Sequence, residues 1–302
     1  MRYRPLGTAG MAISTVSIRL NGERCGGNPD AWLAFIHAAF ESGINAFEVV
    51  NPTPALLEGL AYAGRSVERR LIFVGLRLAD GLAPDQIVAN VDHVLASTGL
   101  ESLDLAIVDG EAGLQNECVW ALEDLRAGSR VKRLGVMVLS DEGMQHVHGG
   151  AFDVLIAPFN LLSGWRERLR VRTATDKGMS VIAVDPYPDD ARAIAEPKAA
   201  KRKRSWFFRP AYPLAGLGSY NFLHDTYGWT AEEIALGFAL TETAVASVVI
   251  EAENRKHLEA MAEVAERDLP AAVAAQIEMA RFSAERAAGT ERRTLDRRAR
   301  AS

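Results

Sequence analysis

Short apolar runs recur along the chain at intervals filled by amphipathic stretches, and this alternation limits the fold more than any other feature. Eight such runs can be marked: Val16–Leu20, Asn45–Val50, Leu71–Leu78, Leu103–Asp109, Leu134–Leu139, Asp153–Ala157, Ser180–Val184 and Ala246–Ile250. Each is too short for a free-standing helix and rich in β-branched or apolar residues, so each reads as a strand buried on both faces. Between them, Asp30–Glu41, Pro84–Ser97, Asn116–Ala127, Arg166–Lys177 and Ala231–Thr241 place apolar residues three and four positions apart, as helices that pack by one face do. Strands alternating with helices predict a parallel sheet, and eight repeats predict that it closes into a (β/α)8 TIM barrel.

The punctuation agrees with this reading. Pro29-Asp30 and Ala83-Pro84-Asp85 open helices, and Thr230-Ala-Glu-Glu233 has the form of a capping box. Gly43, Gly99, Gly128 and Gly178 stand where a left-handed helix cap is expected. Two segments lie outside the repeat: Tyr3–Ser17, with a Gly7-Thr-Ala-Gly10 turn, and a helical stretch from Pro270 to about Ala288. A length of 302 residues suits one barrel, so residues 1–289 are expected to form a single domain. Beyond it, residues 290–302 are Arg-rich and aperiodic, which predicts a disordered tail.

A formal charge of −5 argues against a nucleic-acid binder, and no run reaches the roughly 18 apolar residues of a membrane span. Met1 is followed by Arg-Tyr-Arg-Pro and not by an apolar leader, so the expected location is the cytoplasm. Cys25 and Cys118 have no Cys-x-x-Cys partner, which makes reduced thiols the default. His146-x-His148 offers two metal ligands without a third, so no metal is expected.

Several longer motifs carry a resemblance. Tyr3-Arg-Pro-Leu-Gly7 with Met11-Ala-Ile-Ser14, then Ala38-Ala-Phe-Glu-Ser-Gly-Ile-Asn-Ala-Phe47, Ala121-Leu-Glu-Asp-Leu125, Val131-Lys-Arg-Leu-Gly-Val136, Pro158-Phe-Asn-Leu-Leu162 and Lys177-Gly-Met-Ser-Val-Ile-Ala183 fall in the order and spacing of one family. From Arg2 to about Ile277 the chain resembles the aldo-keto reductases. The resemblance implies that the opening hairpin plugs the barrel bottom and that the C-terminal mouth carries the site. In that family a tyrosine donates a proton as nicotinamide hydride reaches a carbonyl, helped by a lysine, an aspartate and a histidine. Such chemistry needs a transferable proton and positive potential where an oxyanion develops.

This sequence departs from the family at all four positions. The family's aspartate and tyrosine fall on Glu48 and Thr53 of Glu48-Val-Val-Asn-Pro-Thr53. The lysine falls on Arg77, ending Phe73-Val-Gly-Leu-Arg77, and the histidine on Asp109, ending Leu103-Asp-Leu-Ala-Ile-Val-Asp109. A threonine hydroxyl is a far weaker acid than a phenol, a guanidinium stays protonated near neutrality, and an aspartate repels an oxyanion. Loss of the family chemistry is the expected result. A satisfied ion cluster is the structural alternative, in which Glu48, Arg77 and Asp109 lie together at the mouth.

The resemblance also bears on the cofactor. Positions that hold the nicotinamide in the family read Met137-Val138, Ile156 and Val184, and the phosphate loop reads Glu251-Ala-Glu-Asn254. Asn254, Arg255 and Lys256 nevertheless open a helix whose N-terminus could take a phosphate, so weak NAD(H) or NADP(H) binding there is an expectation, against a plain polar helix start.

One further segment, Lys198–Arg209, sets Lys201, Arg202, Lys203 and Arg204 beside Trp206, Phe207 and Phe208. Charge next to aromatics suits a protein-binding loop, with a solvated loop packed on the rim as the plain reading and nucleic acid as the weakest. Taken together, the residues point to a noncatalytic regulator or protein-interaction module. Known noncatalytic relatives include potassium-channel β subunits and a bacterial cell-division regulator; the latter comparison implies a cell-cycle histidine kinase or the division GTPase FtsZ as partner. The alternative is an active NAD(P)H-dependent oxidoreductase with an altered site, for which Tyr187 or Tyr220 would have to donate the proton.

Overall fold

The computed structural model describes residues 1–7, 11–24, 27–109, 115–137, 144, 149–195, 220 and 222–282. Its first elements, β1 (Tyr3–Leu6) and β2 (Met11–Ser14), pair antiparallel as a two-stranded hairpin. Eight strands follow: β3 (Val16–Asn21), β4 (Ala46–Val50), β5 (Phe73–Arg77), β6 (Leu105–Val108), β7 (Leu134–Met137), β8 (Val154–Pro158), β9 (Ser180–Val184) and β10 (Val245–Ile250). They pair in parallel in chain order, and β10 returns to β3 to close the barrel. Each of the eight apolar runs holds one of these strands. The Leu71–Leu78 run is shorter than expected as a strand, because Arg69–Leu71 winds into a single 3-10 turn before β5 begins.

Around the barrel lie α1 (Pro29–Glu41), α2 (Pro54–Arg65), α3 (Pro84–Thr98), α4 (Asn116–Ala127), α5 (Trp165–Asp176), α6 (Asp189–Ala195), α7 (Phe222–Asp225), α8 (Ala231–Thr241) and α9 (Arg255–Val264). A further helix, α10, covers 271–282. The starts follow from their side chains. Asn28 caps α1 by accepting from Asp30 N at 3.0 Å, and Thr230 and Glu233 bond reciprocally at the start of α8. Helix α2 was not among the stretches that stood out in the sequence. Gly59 in its middle explains both its weak signal and its necessity, since a Cβ there would stand 2.5 Å from Trp32 Cβ where α1 and α2 cross.

Gly43, Gly99 and Gly178 take positive φ as expected of left-handed caps, but Gly128 does not. Its φ is −75°, and Ser129 takes the left-handed conformation at 58° in its place. The helical turn runs one residue further than the glycine signal implies, with Gly128 N still bonded to Asp124 O at 2.9 Å.

Apolar side chains fill two concentric cores. Outward-facing strand residues such as Ile18, Val49, Leu76 and Val181 pack against the helices. Inward-facing ones, including Phe73, Leu105, Ile107, Ile156 and Ile182, fill the barrel together with Leu6 and Ile13 of the hairpin. Alternation along each strand assigns its residues to one core or the other. The hairpin is pinned by Arg4, which donates to the carbonyls of Leu240 (2.7 Å) in the last turn of α8, Glu242 (2.9 Å) just past it and Val245 (2.5 Å) at the start of β10. Those carbonyls have no partner within the helix, and a guanidinium answers several of them at once.

Cys118 is a buried free thiol, pushed up by its burial and then by Glu117, whereas Cys25 lies outside the described residues. The basic segment with Lys201, Arg202, Lys203, Arg204, Trp206, Phe207 and Phe208, the tail at 290–302, and His146 and His148 also lie outside them. Among the described residues no helix is long and apolar enough to cross a membrane.

Candidate functional site

Strand alternation turns one residue near the C-terminal end of each of several strands into the barrel mouth, and here those residues are charged. Arg19 of β3 and Glu48 of β4 are register partners, and Arg19 Nε donates to Glu48 Oε2 at 2.7 Å. Glu48 Oε1 lies 3.9 Å from Arg77 Nη1, at the end of β5. Arg77 in turn grips Asp109, Nη2 at 2.5 Å and Nε at 3.1 Å from one carboxylate oxygen, and touches Met137 Sδ at 3.0 Å. On the other side, Arg19 Nη1 reaches Glu251 Oε1 at 3.2 Å, and Arg24 Nη2 reaches Glu251 Oε2 at 2.5 Å.

The result is a ladder of alternating sign across the mouth: Asp109, Arg77, Glu48, Arg19, Glu251, Arg24. Its centre is out of water, with Glu48 5% exposed and Arg19 and Arg77 17% and 18% exposed. Charges so placed persist only when each has an opposite neighbour. Although burial works against its charge, the carboxylates of Glu48 and Glu251 hold the Arg19 guanidinium above its ordinary range.

Thus the structure brings Glu48, Arg77 and Asp109 together, while Thr53 stands apart in role. Its hydroxyl caps α2 by accepting from Leu56 N at 3.4 Å. Arg19 and Arg24 escaped the sequence reading. Arg19 left a signal, as the one charged side chain in the Val16–Leu20 run and two positions from Ser17. Arg24 left none, since its partner Glu251 is distant in sequence.

Above the ladder opens a bowl of about 780 Å³, walled in part by Asp185, Tyr187, Asp189, Arg192, Glu253 and His257. Asp185 takes a φ of 53° directly after β9, one of three non-glycine residues with positive φ among the described residues. Its carboxyl is raised, first by partial desolvation and then by Asp189, while Arg19 and Arg192 pull it down. Among the described residues five carboxylates line the bowl against four guanidinium groups, and Glu48 and Asp109 pair with one of those, Arg77.

Residues matching the Aldo/keto reductase family profile run from 17 to 281. The chain belongs to that family. Among solved structures, an aldo-keto reductase from Bacillus halodurans matches in both its holo and apo forms. Each superposes with a TM-score of 0.71 and 17% identity, over 93% of this chain and 96% of that one. At that identity the likeness shows the fold. No curated protein matches by sequence.

Family members bind nicotinamide dinucleotides, and the residues here fit one poorly. Met137, Ile156 and Val184 are apolar and buried in the barrel interior, while Val138 lies outside the described residues. Asn254 spends its carboxamide capping α9, accepting from His257 N at 3.0 Å. Arg255 is tied to Glu41 at 2.8 Å and Glu259 at 2.7 Å, leaving Lys256 as the one cation of the three with no ion pair among the described residues. Glu253, immediately before this helix, brings a carboxylate to the place where a phosphate would approach. Among the described residues no group of three or more His, Cys, Asp or Glu side chains could hold a metal ion.

Proposed function

We propose that this aldo/keto reductase family member is noncatalytic and acts as a regulatory or protein-interaction module through its barrel mouth. One observation carries the reading: Arg77 is clamped by Asp109 and faces Glu48, residues that the resemblance assigns to the family's lysine, histidine and aspartate positions. A guanidinium held by carboxylates neither relays a proton nor leaves free positive charge for an oxyanion. Barrels of this kind present ligands with the loops of the C-terminal face, so those loops stay available for recognition after the chemistry is gone. By analogy with noncatalytic relatives, the expected setting is bacterial cell-division or cell-cycle control, with a histidine kinase or FtsZ as partner.

The test is direct. Purified protein, given NADH or NADPH and a broad aldehyde panel, is expected to give no enzyme-dependent oxidation. Equilibrium titration with either dinucleotide is expected to show weak binding or none, with no tight complex below the millimolar range. The competing oxidoreductase reading has one specific foothold, the buried Tyr187 in the wall of the bowl. Tyr220 is a poor proton donor because burial raises its phenol. Carbonyl-dependent turnover lost in Tyr187→Phe would replace the proposal with that reading.

A further inference from the structure

Two polar atoms at the mouth remain unanswered by the charge ladder. Among the described residues Glu48 Oε1 accepts no hydrogen bond and Arg19 Nη2 donates none, although both are buried. A buried orphan suffers the full loss of its hydration, and native structures answer most such groups with protein or with ordered water.

Directly below Glu48 lies a cavity of about 20 Å³, sharing Val249 with the wall of the bowl. Phe73, Leu105, Ile107 and Ile156 make most of it apolar, and Ser17 adds a hydroxyl. A space of this kind admits a water when it offers at least roughly 10–15 Å³ and two or more polar partners. Ser17 can serve as one. Ser247 Oγ already donates its proton to Ser14 O at 2.8 Å, so in the hydroxyl pair of Ser17 and Ser247 the donor is Ser17. Lone pairs of Ser17 Oγ are left to accept.

We propose that this cavity is a binding site for one ordered water molecule, which donates to Glu48 Oε1 and Ser17 Oγ, the two polar side chains that line it. The charge balance selects a neutral occupant. Arg19 and Arg77 already counter Glu48, so an ammonium ion of the same size would be repelled by both, and an anion would face Glu48 itself. With the water in place Glu48 Oε1, at the centre of the ladder, is satisfied, and the barrel interior is sealed beneath whatever occupies the bowl. This site does not depend on the loss of reductase chemistry and stands or falls separately.

Gly75 supplies the test, because it is the register partner of Glu48 on β5 and lines the cavity. A Cβ there would meet Leu105 Cβ at 3.6 Å and Phe47 O at 3.7 Å, ordinary contact distances. In a dry cavity Gly75→Ala would fill space and restrict the unfolded chain, raising Tm. With water present the methyl displaces it and strands Glu48, so Tm is expected to fall by roughly 3 °C. A crystal structure of the unsubstituted protein should show a density peak about 2.6–3.2 Å from Glu48 Oε1 that the variant lacks. A structure without that peak overturns the proposal, and so does a Gly75→Ala protein that melts no lower than its parent.

Discussion

Arginine closes both ends of this barrel, by different means. At the floor, Arg4 answers three backbone carbonyls where α8 gives way to β10, and burial, then the neighbouring Arg2, lower its pKa against a smaller opposing pull from Glu242. At the mouth, Arg19 answers two carboxylates, which hold its pKa up despite burial. The floor arrangement depends on backbone that any chain with this fold provides. The mouth arrangement depends on acidic side chains that must arrive together with the arginines, so it is a property of this chain and not of the barrel. In the mouth, then, replacement of one residue leaves opposite charges stranded, whereas at the floor it leaves dipoles.

That contrast sets the expected order of effects. Glu48→Ala should be the most damaging, destabilising by about 3 kcal/mol as Arg19 and Arg77 lose the carboxylate between them, read by denaturant unfolding. Arg4→Ala should cost about 2 kcal/mol through its unanswered carbonyls, with the same measurement. If Arg4→Ala proves the more costly, the distinction between stranded charges and stranded dipoles fails.

Asp185→Asn should have the smallest effect and the opposite sign. Its raised pKa means that the fold favours the neutral acid: this contribution is full below the unfolded pKa and is lost as pH rises through the folded one. The variant should therefore match the parent near pH 3, gain a few tenths of a kcal/mol as pH climbs past about 4, and keep that gain at neutrality, the exposure of the group holding the effect small. Thermal melts across that range check it. A gain that appears only in acid would reverse the assignment. Asparagine tolerates the positive φ at this position, so the backbone should not mask the result.

Much of this was legible in the chain itself. The eight strands and the capping of α8 could be read because hydrophobic alternation and capping chemistry are local, while the hairpin plug followed from the family resemblance. So were three rungs of the ladder, Glu48, Arg77 and Asp109, through the resemblance to the family's motifs. Helix α2 was harder to see, since its central Gly59 serves contact with α1 and weakens its own helical signal.

The sequence by itself determined the barrel, since a period of two in the strands and near four in the helices dictates which faces must be buried. Tertiary structure alone decided that Arg19 would stand between Glu48 and Glu251 and that Arg24 would reach across to Glu251. Coulombic partners are chosen by distance in space, and closing the sheet from β10 back to β3 brings together residues more than two hundred positions apart.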